Sequence, residues 1–164
     1  MMTVPTTLQE YNAMYGNQEL DWFRVTGSPK FDYPIDYSVA ILSVDEASGR
    51  IDFVSRWESD CYCHYHRHVG ETSVLVLEGE HHVVEESPNQ TTHKIRKPGF
   101  FITNPGGDLH MEYGGPEGSL VYFSCHAEQG KLFDVLDADG NVLNTATVDD
   151  FTGGKIKGAK SAQA

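Results

Sequence analysis

The chain has 164 residues, a formal net charge of −12, 39% hydrophobic and 22% charged residues. That length supports one domain with its own core. The acidity excludes nucleic-acid phosphates and anionic membranes as partners, since both need a basic patch.

Taken in chain order, residues 6–15 predict a short helix capped by Thr6 or Thr7, with Leu8, Tyr11 and Tyr15 on one side. Gly16, Gly27, Pro29 and Pro34 make the rest of 1–36 an irregular lead-in. From residue 37 to 152 the chain reads as β-rich. Strands are expected at 37–44, 50–57, 60–68, 72–77, 81–86, 93–97, 100–103, 109–113 and 119–125, separated by Gly, Pro, Asn and Asp. A polar loop covers 87–92, and a final hairpin joins 131–136 to 142–143 around Asp137–Asn141. The Gly- and Lys-rich stretch 153–164 reads as a disordered tail. Short strands at such spacing define an all-β sandwich or barrel.

The N-terminus has no basic region followed by an apolar core, and the apolar run Val74–Leu77 is far too short to cross a bilayer. Cys61, Cys63 and Cys125 are odd in number, and the spacing of the first two suits neither a disulfide nor a zinc finger. They read as free thiols of a reducing compartment, on the face opposite the histidines described next. The expectation is a cytoplasmic protein.

His64, His66 and His68 stand at every second position in Asp60-Cys61-Tyr62-Cys63-His64-Tyr65-His66-Arg67-His68. On a strand, alternate residues share a face, and neutral imidazole is the commonest protein ligand for a transition metal. His110 follows a Pro-Gly turn, in Asn104-Pro105-Gly106-Gly107-Asp108-Leu109-His110. With two strand histidines it completes a candidate metal site.

Gly99, Pro105, Gly107 and His110 fit the pattern Gly, five residues, Pro, one, Gly, two, His. The chain here resembles the cupin superfamily, whose second signature motif this is. The first motif is His, one residue, His, three or four residues, Glu, six residues, Gly, and two registers compete for it. Counting back from Gly79 selects His66 and His68 and places Thr72 at the carboxylate position. The other register pairs His64 and His66 with Glu71 and needs a one-residue bulge, which Gly70 can supply. The first register resembles the subgroup of 2,4'-dihydroxyacetophenone and acetylacetone-cleaving dioxygenases, with a three-histidine iron site. The segment Leu136–Leu143, with its Asp139-Gly140-Asn141 turn, is similar to that subgroup as well.

The resemblance implies a jelly-roll barrel of double-stranded β-helix type and a divalent metal, Fe(II) before Zn, Ni or Mn. It places that metal on His66, His68 and His110, with His64 and Glu71 as alternative or additional ligands. It implies cleavage of a carbon–carbon bond in a chelating diketone or hydroxyketone with O2. It also implies a homodimer. Strand alternation puts Tyr62, His64 and Glu112 on the ligand face. Tyr62 then either touches substrate or fills core, and Glu112 either takes the substrate proton or pairs with an arginine at the barrel rim. His81, His82, His93 and His126 lack spacing partners and read as surface or structural groups. Two other functions share the same site: an isomerase, lyase or hydrolase using the metal as Lewis acid, and a non-enzymatic metal- or ligand-binding cupin.

Overall fold

The computed structural model describes residues 20–27 and 33–152. The helix expected at 6–15 and the tail at 153–164 therefore lie outside the described residues. Among the described residues, ten strands form one curled sheet: β1 (Trp22–Thr26), β2 (Asp36–Asp45), β3 (Arg50–Trp57), β4 (His66–His68), β5 (Thr72–Ser87), β6 (Gln90–Arg96), β7 (Phe101–Asn104), β8 (Leu109–His126), β9 (Lys131–Leu136) and β10 (Val142–Thr147). A short helix, α1, covers Val148–Thr152. No helix among the described residues is long and apolar enough to cross a membrane.

The sheet runs β1-β2-β3-β8-β4-β9-β10, and β5 pairs with β6, β7 and β8. Two long strands organise it. The expected strands 72–77 and 81–86 are one, β5, and 109–113 and 119–125 are one, β8. Gly79, at φ 68°, bends β5 without ending it. A Cβ there would stand 2.1 Å from the Gly118 carbonyl oxygen of β8. The glycine thus permits close strand contact at the bend, and register shifts flank it. The region expected to be an irregular lead-in also holds β1, which pairs with β2 from Trp22↔Ala40 to Thr26↔Asp36. The 87–92 region is a tight turn between β5 and β6, closed by Ser87↔Gln90.

The inward rows supply the core. Ile51, Phe123, Val76, Val121 and Leu132 are fully buried, and Phe53 stacks on Phe123 at 5.0 Å between centroids. Each such side chain contributes about 1.5–3 kcal/mol by leaving water. The outward row is apolar too: Trp22, Ala40, Val54, Tyr122, Leu75 and Phe101 are successive register partners across β1, β2, β3, β8, β5 and β7.

Candidate metal centre

β4 is only three residues long and is clamped between two strands. His66 lies opposite His110 of β8 on one side and Val135 of β9 on the other. His66 and His68 share a face by alternation, and the register brings His110 and then Glu112 onto that face. The Pro105–Asp108 turn locks this arrangement. Gly107 N–H donates to the His68 carbonyl at 2.8 Å. At Gly106, φ 94°, a Cβ would meet the Gly70 carbonyl oxygen at 2.5 Å. Any side chain at Gly106 would force the two histidine-bearing segments apart.

His66, His68, His110 and Glu112 each offer one donor atom, and all four atoms lie within 4.8 Å of one another. His66 Nε2 is 3.2 Å from His68 Nε2, 3.1 Å from His110 Nε2 and 3.3 Å from Glu112 Oε2. One hydrogen on His66 Nε2 cannot serve three neighbours, so lone pairs face lone pairs. Donors about 2.1 Å from a common centre stand about 3.0–3.4 Å apart at octahedral or tetrahedral angles. The cluster fits a divalent cation.

Outer hydrogen bonds aim each donor inward. His66 Nδ1–H donates to the His64 carbonyl at 2.7 Å. His68 Nδ1–H donates to Thr72 Oγ1 at 3.1 Å. Thr72, at the position where the motif carries glutamate, thus orients a histidine. Glu112 Oε1 accepts from His81 Nε2–H at 3.0 Å, and the Ser119 hydroxyl donates to His81 Nδ1 at 3.2 Å. Oε2 is left to face the imidazoles.

The electrostatics follow from burial. Burial opposes charge on His66, but Cys63 and Glu112 together hold its pKa well above the ordinary imidazole value. Burial, then the neighbouring His66, keep His68 well below that value and His110 below it. Burial alone would neutralise Glu112, yet bonds from His110, His66 and His81 hold it well below the usual carboxylate range. Glu112 is thus an anion beside a protonated His66, a pairing that a divalent cation would replace.

Several sequence expectations change here. The run from Asp60 becomes a strand only at His66, because Asp60 has φ 54° and Tyr62 and Cys63 bond to Pro34 and Glu112 instead. Alternation therefore does not carry back to Tyr62. Its ring packs on Tyr113 at 4.6 Å and meets Tyr33, away from the ligand face. Cys63 is not opposite the histidines: it is buried, 3.6 Å from His66 Nδ1. Cys125 is likewise buried, 3.7 Å from His68 Nδ1, and burial pushes its thiol up to about 12. All three cysteines are free. Glu112 bonds to histidines rather than to a rim arginine. Glu71 is exposed and outside the cluster, and Gly70 forms no bulge. A Cβ at Gly70 would meet the His126 carbonyl oxygen at 2.1 Å, so that glycine admits the end of β8. His64 lines the cavity beside the cluster without joining it. His81 is a fully buried partner of Glu112, and His82 is buried against the exposed His93 at 2.9 Å. His126 is exposed.

His66, His68 and Glu112 of the cluster line a cavity of about 300 Å³. Phe23, Phe53, Phe123, Phe133, Val135 and Phe151 make it apolar. Its polar side holds Tyr37, whose hydroxyl lies 3.5 Å from His64 Nδ1. Burial raises the Tyr37 phenol and lowers His64, so both are neutral. Tyr37 escaped the sequence reading because only the β2–β3 register brings it beside Trp57 and this cavity.

No protein-family model matches the chain, and no curated protein matches it significantly. Solved structures do match. An acetylacetone dioxygenase from Acinetobacter johnsonii superposes with a TM-score of 0.63 at 16% identity, over 79% of this chain and 83% of that one. A cupin 2 conserved barrel domain protein from Rhodopseudomonas palustris gives 0.60 at 13%, over 74% and 80%. The chain has the cupin fold. This cupin barrel is also similar to the DMSP lyase DddQ from Ruegeria pomeroyi, with a TM-score of 0.57 at 14% identity, over 74% of this chain and 64% of that one.

Proposed function

We propose that this protein is a metal-dependent dioxygenase that cleaves a carbon–carbon bond in an apolar, chelating diketone or hydroxyketone. The observation that carries it is the convergence of His66, His68, His110 and Glu112, three of which, His66, His68 and Glu112, line an apolar cavity. These four residues would hold the ion; Fe(II), when bound, supplies the redox chemistry that lets O2 react with the ketone. The similarity to an acetylacetone dioxygenase supports the reading at the level of fold.

The chain's own residues do the rest. Glu112 brings one negative charge to the cluster, so a divalent ion leaves a single positive charge. A ketone that has lost one proton matches that charge and offers two oxygens. Glu112 is not placed to take the proton, since His81 engages one oxygen and the imidazoles face the other. His64, kept neutral by burial, lines the cavity and accepts it. The phenylalanines exclude water and strengthen every charge interaction inside. A volume of about 300 Å³ is at the small end for ligand pockets, and suits an aryl or branched ketone.

A second reading is favoured by the same carboxylate. Four protein donors leave two positions of an octahedron, which a chelating substrate fills. A Lewis-acid lyase or isomerase needs no more than that. Reconstitution with Fe(II) under anaerobic conditions, followed by oxygen-electrode assays against diketones and hydroxyaryl ketones, separates the two. The dioxygenase consumes O2 and releases two fragments. Product formed without O2, or equal activity with Zn, selects the lyase. We also propose a homodimer, joined at Phe101 of β7, which is 60% exposed.

A further inference from the structure

His82 and His93 lie on the other face of the sheet from the cluster. His81 points into the barrel, so its neighbour His82 points outward, and so does Tyr113, the register partner of His82 on β8. His93 of β6 stands opposite Val84, two residues along the same face of β5. Neighbouring strands thus bring two imidazoles and a phenol together. His82 Nδ1 is 2.9 Å from His93 Nε2, and the Tyr113 hydroxyl is 3.0 Å from that same Nε2.

Hydrogen bonds alone do not account for this contact. His93 Nε2 carries either one hydrogen or one lone pair, so it bonds well to one of these two neighbours and not to both. His82 is fixed from behind, where its Nε2–H donates to Glu80 Oε2 at 3.3 Å. In the neutral ring that bond leaves the Nδ1 lone pair aimed at His93. A carboxylate behind an imidazole is a common way to orient a metal-ligating histidine. Gly115 makes room for the pair, since a Cβ there would stand 2.9 Å from Glu80 Cβ and 3.1 Å from His82 Nε2. Two donors about 2.1 Å from one ion stand about 3.0 Å apart at a right angle, the spacing found on both sides of His93 Nε2.

We propose that His82, His93 and Tyr113 form a second, surface site for a divalent transition ion that imidazole suits, Zn first, with Glu80 orienting His82. The ion joins β5, β6 and β8 on the outer face. Water completes its shell, because His93 is exposed. The site shares no residue with the cluster of His66, His68, His110 and Glu112, so it stands apart from the proposed function.

The test counts bound Zn by equilibrium dialysis of untagged wild type, His93→Ala and His110→Ala, with His126→Ala as a control for any exposed imidazole. Wild type and His126→Ala bind two Zn per chain; His93→Ala and His110→Ala bind one each. Glu80→Ala weakens the second ion by about tenfold. Two Zn in His93→Ala, a single Zn in wild type that His93→Ala retains, or no Zn in wild type overturns the proposal. Loss of an ion in His126→Ala as in His93→Ala also overturns it. A single Zn in wild type that His93→Ala loses keeps this site and removes the metal reading of the cluster. If His110→Ala does not fold, the comparison of wild type with His93→Ala decides alone, since His93 is exposed and its replacement spares the core.

Discussion

Replacing Glu112 with glutamine removes a charge from the cluster and almost nothing else. The amide oxygen still accepts from His81, so the β5–β8 contact at this point survives. The charge is the variable. Glu112 Oε2 stands 3.3 Å from His66 Nε2, where a unit charge pair interacts by about 5 kcal/mol at an effective dielectric of about 20. Glutamine also avoids the desolvation of a buried carboxylate, which returns about half of that. The remainder, about 2–3 kcal/mol, weakens a bound divalent ion by about 100-fold. Competition for Zn against a chromophoric chelator measures it directly, with His64→Ala and Glu71→Ala as controls that hold the metal as wild type does. Wild-type affinity in Glu112→Gln would show that the carboxylate is not a ligand and that the three histidines act alone. Loss in Glu71→Ala would refute the register on which β4 is built.

Thr72→Val keeps the shape of the side chain and removes the acceptor for His68 Nδ1, and metal affinity in the same assay falls by about tenfold. Asp134 accepts bonds from Arg67 and Thr145, chiefly the first, and its pKa is lowered. The stability it contributes is fully present above the ordinary Asp value and is lost as pH falls through the lower folded value. Asp134→Asn therefore lowers the urea midpoint at neutral pH and narrows the difference between neutral and strongly acidic midpoints; an unchanged difference contradicts it. Sedimentation should give a dimer for wild type and a monomer for Phe101→Glu, and a monomeric wild type would remove the dimer.

The histidines were legible because two local patterns carry them. Period-two spacing places His66 and His68 on one face, and the glycine–proline turn before His110 has a fixed length. Glu112 was legible as inward-facing, two residues beyond His110. Its partner was not, because His81 reaches it only through the β5–β8 register, in which Val83 lies opposite Glu112. A histidine inside an alternating apolar strand was the available signal. Strand counts failed at Gly79 and again along Gly114–Gly118, where the turn residues permit bends that long strands pass through. Tyr62 failed because alternation was extended across residues that are not a strand.

The walls of the apolar cavity have a division of labour. The histidines and Glu112 come from β4 and β8, in the middle of the sheet. Phe23 of β1 and Phe151 of α1 reach the cavity from elements that touch no donor atom. The shape of the cavity and the geometry of the donor cluster are therefore set by different parts of the chain. Exchanging the side chains of β1 and α1 would reshape the cavity while leaving the four donor groups where they are.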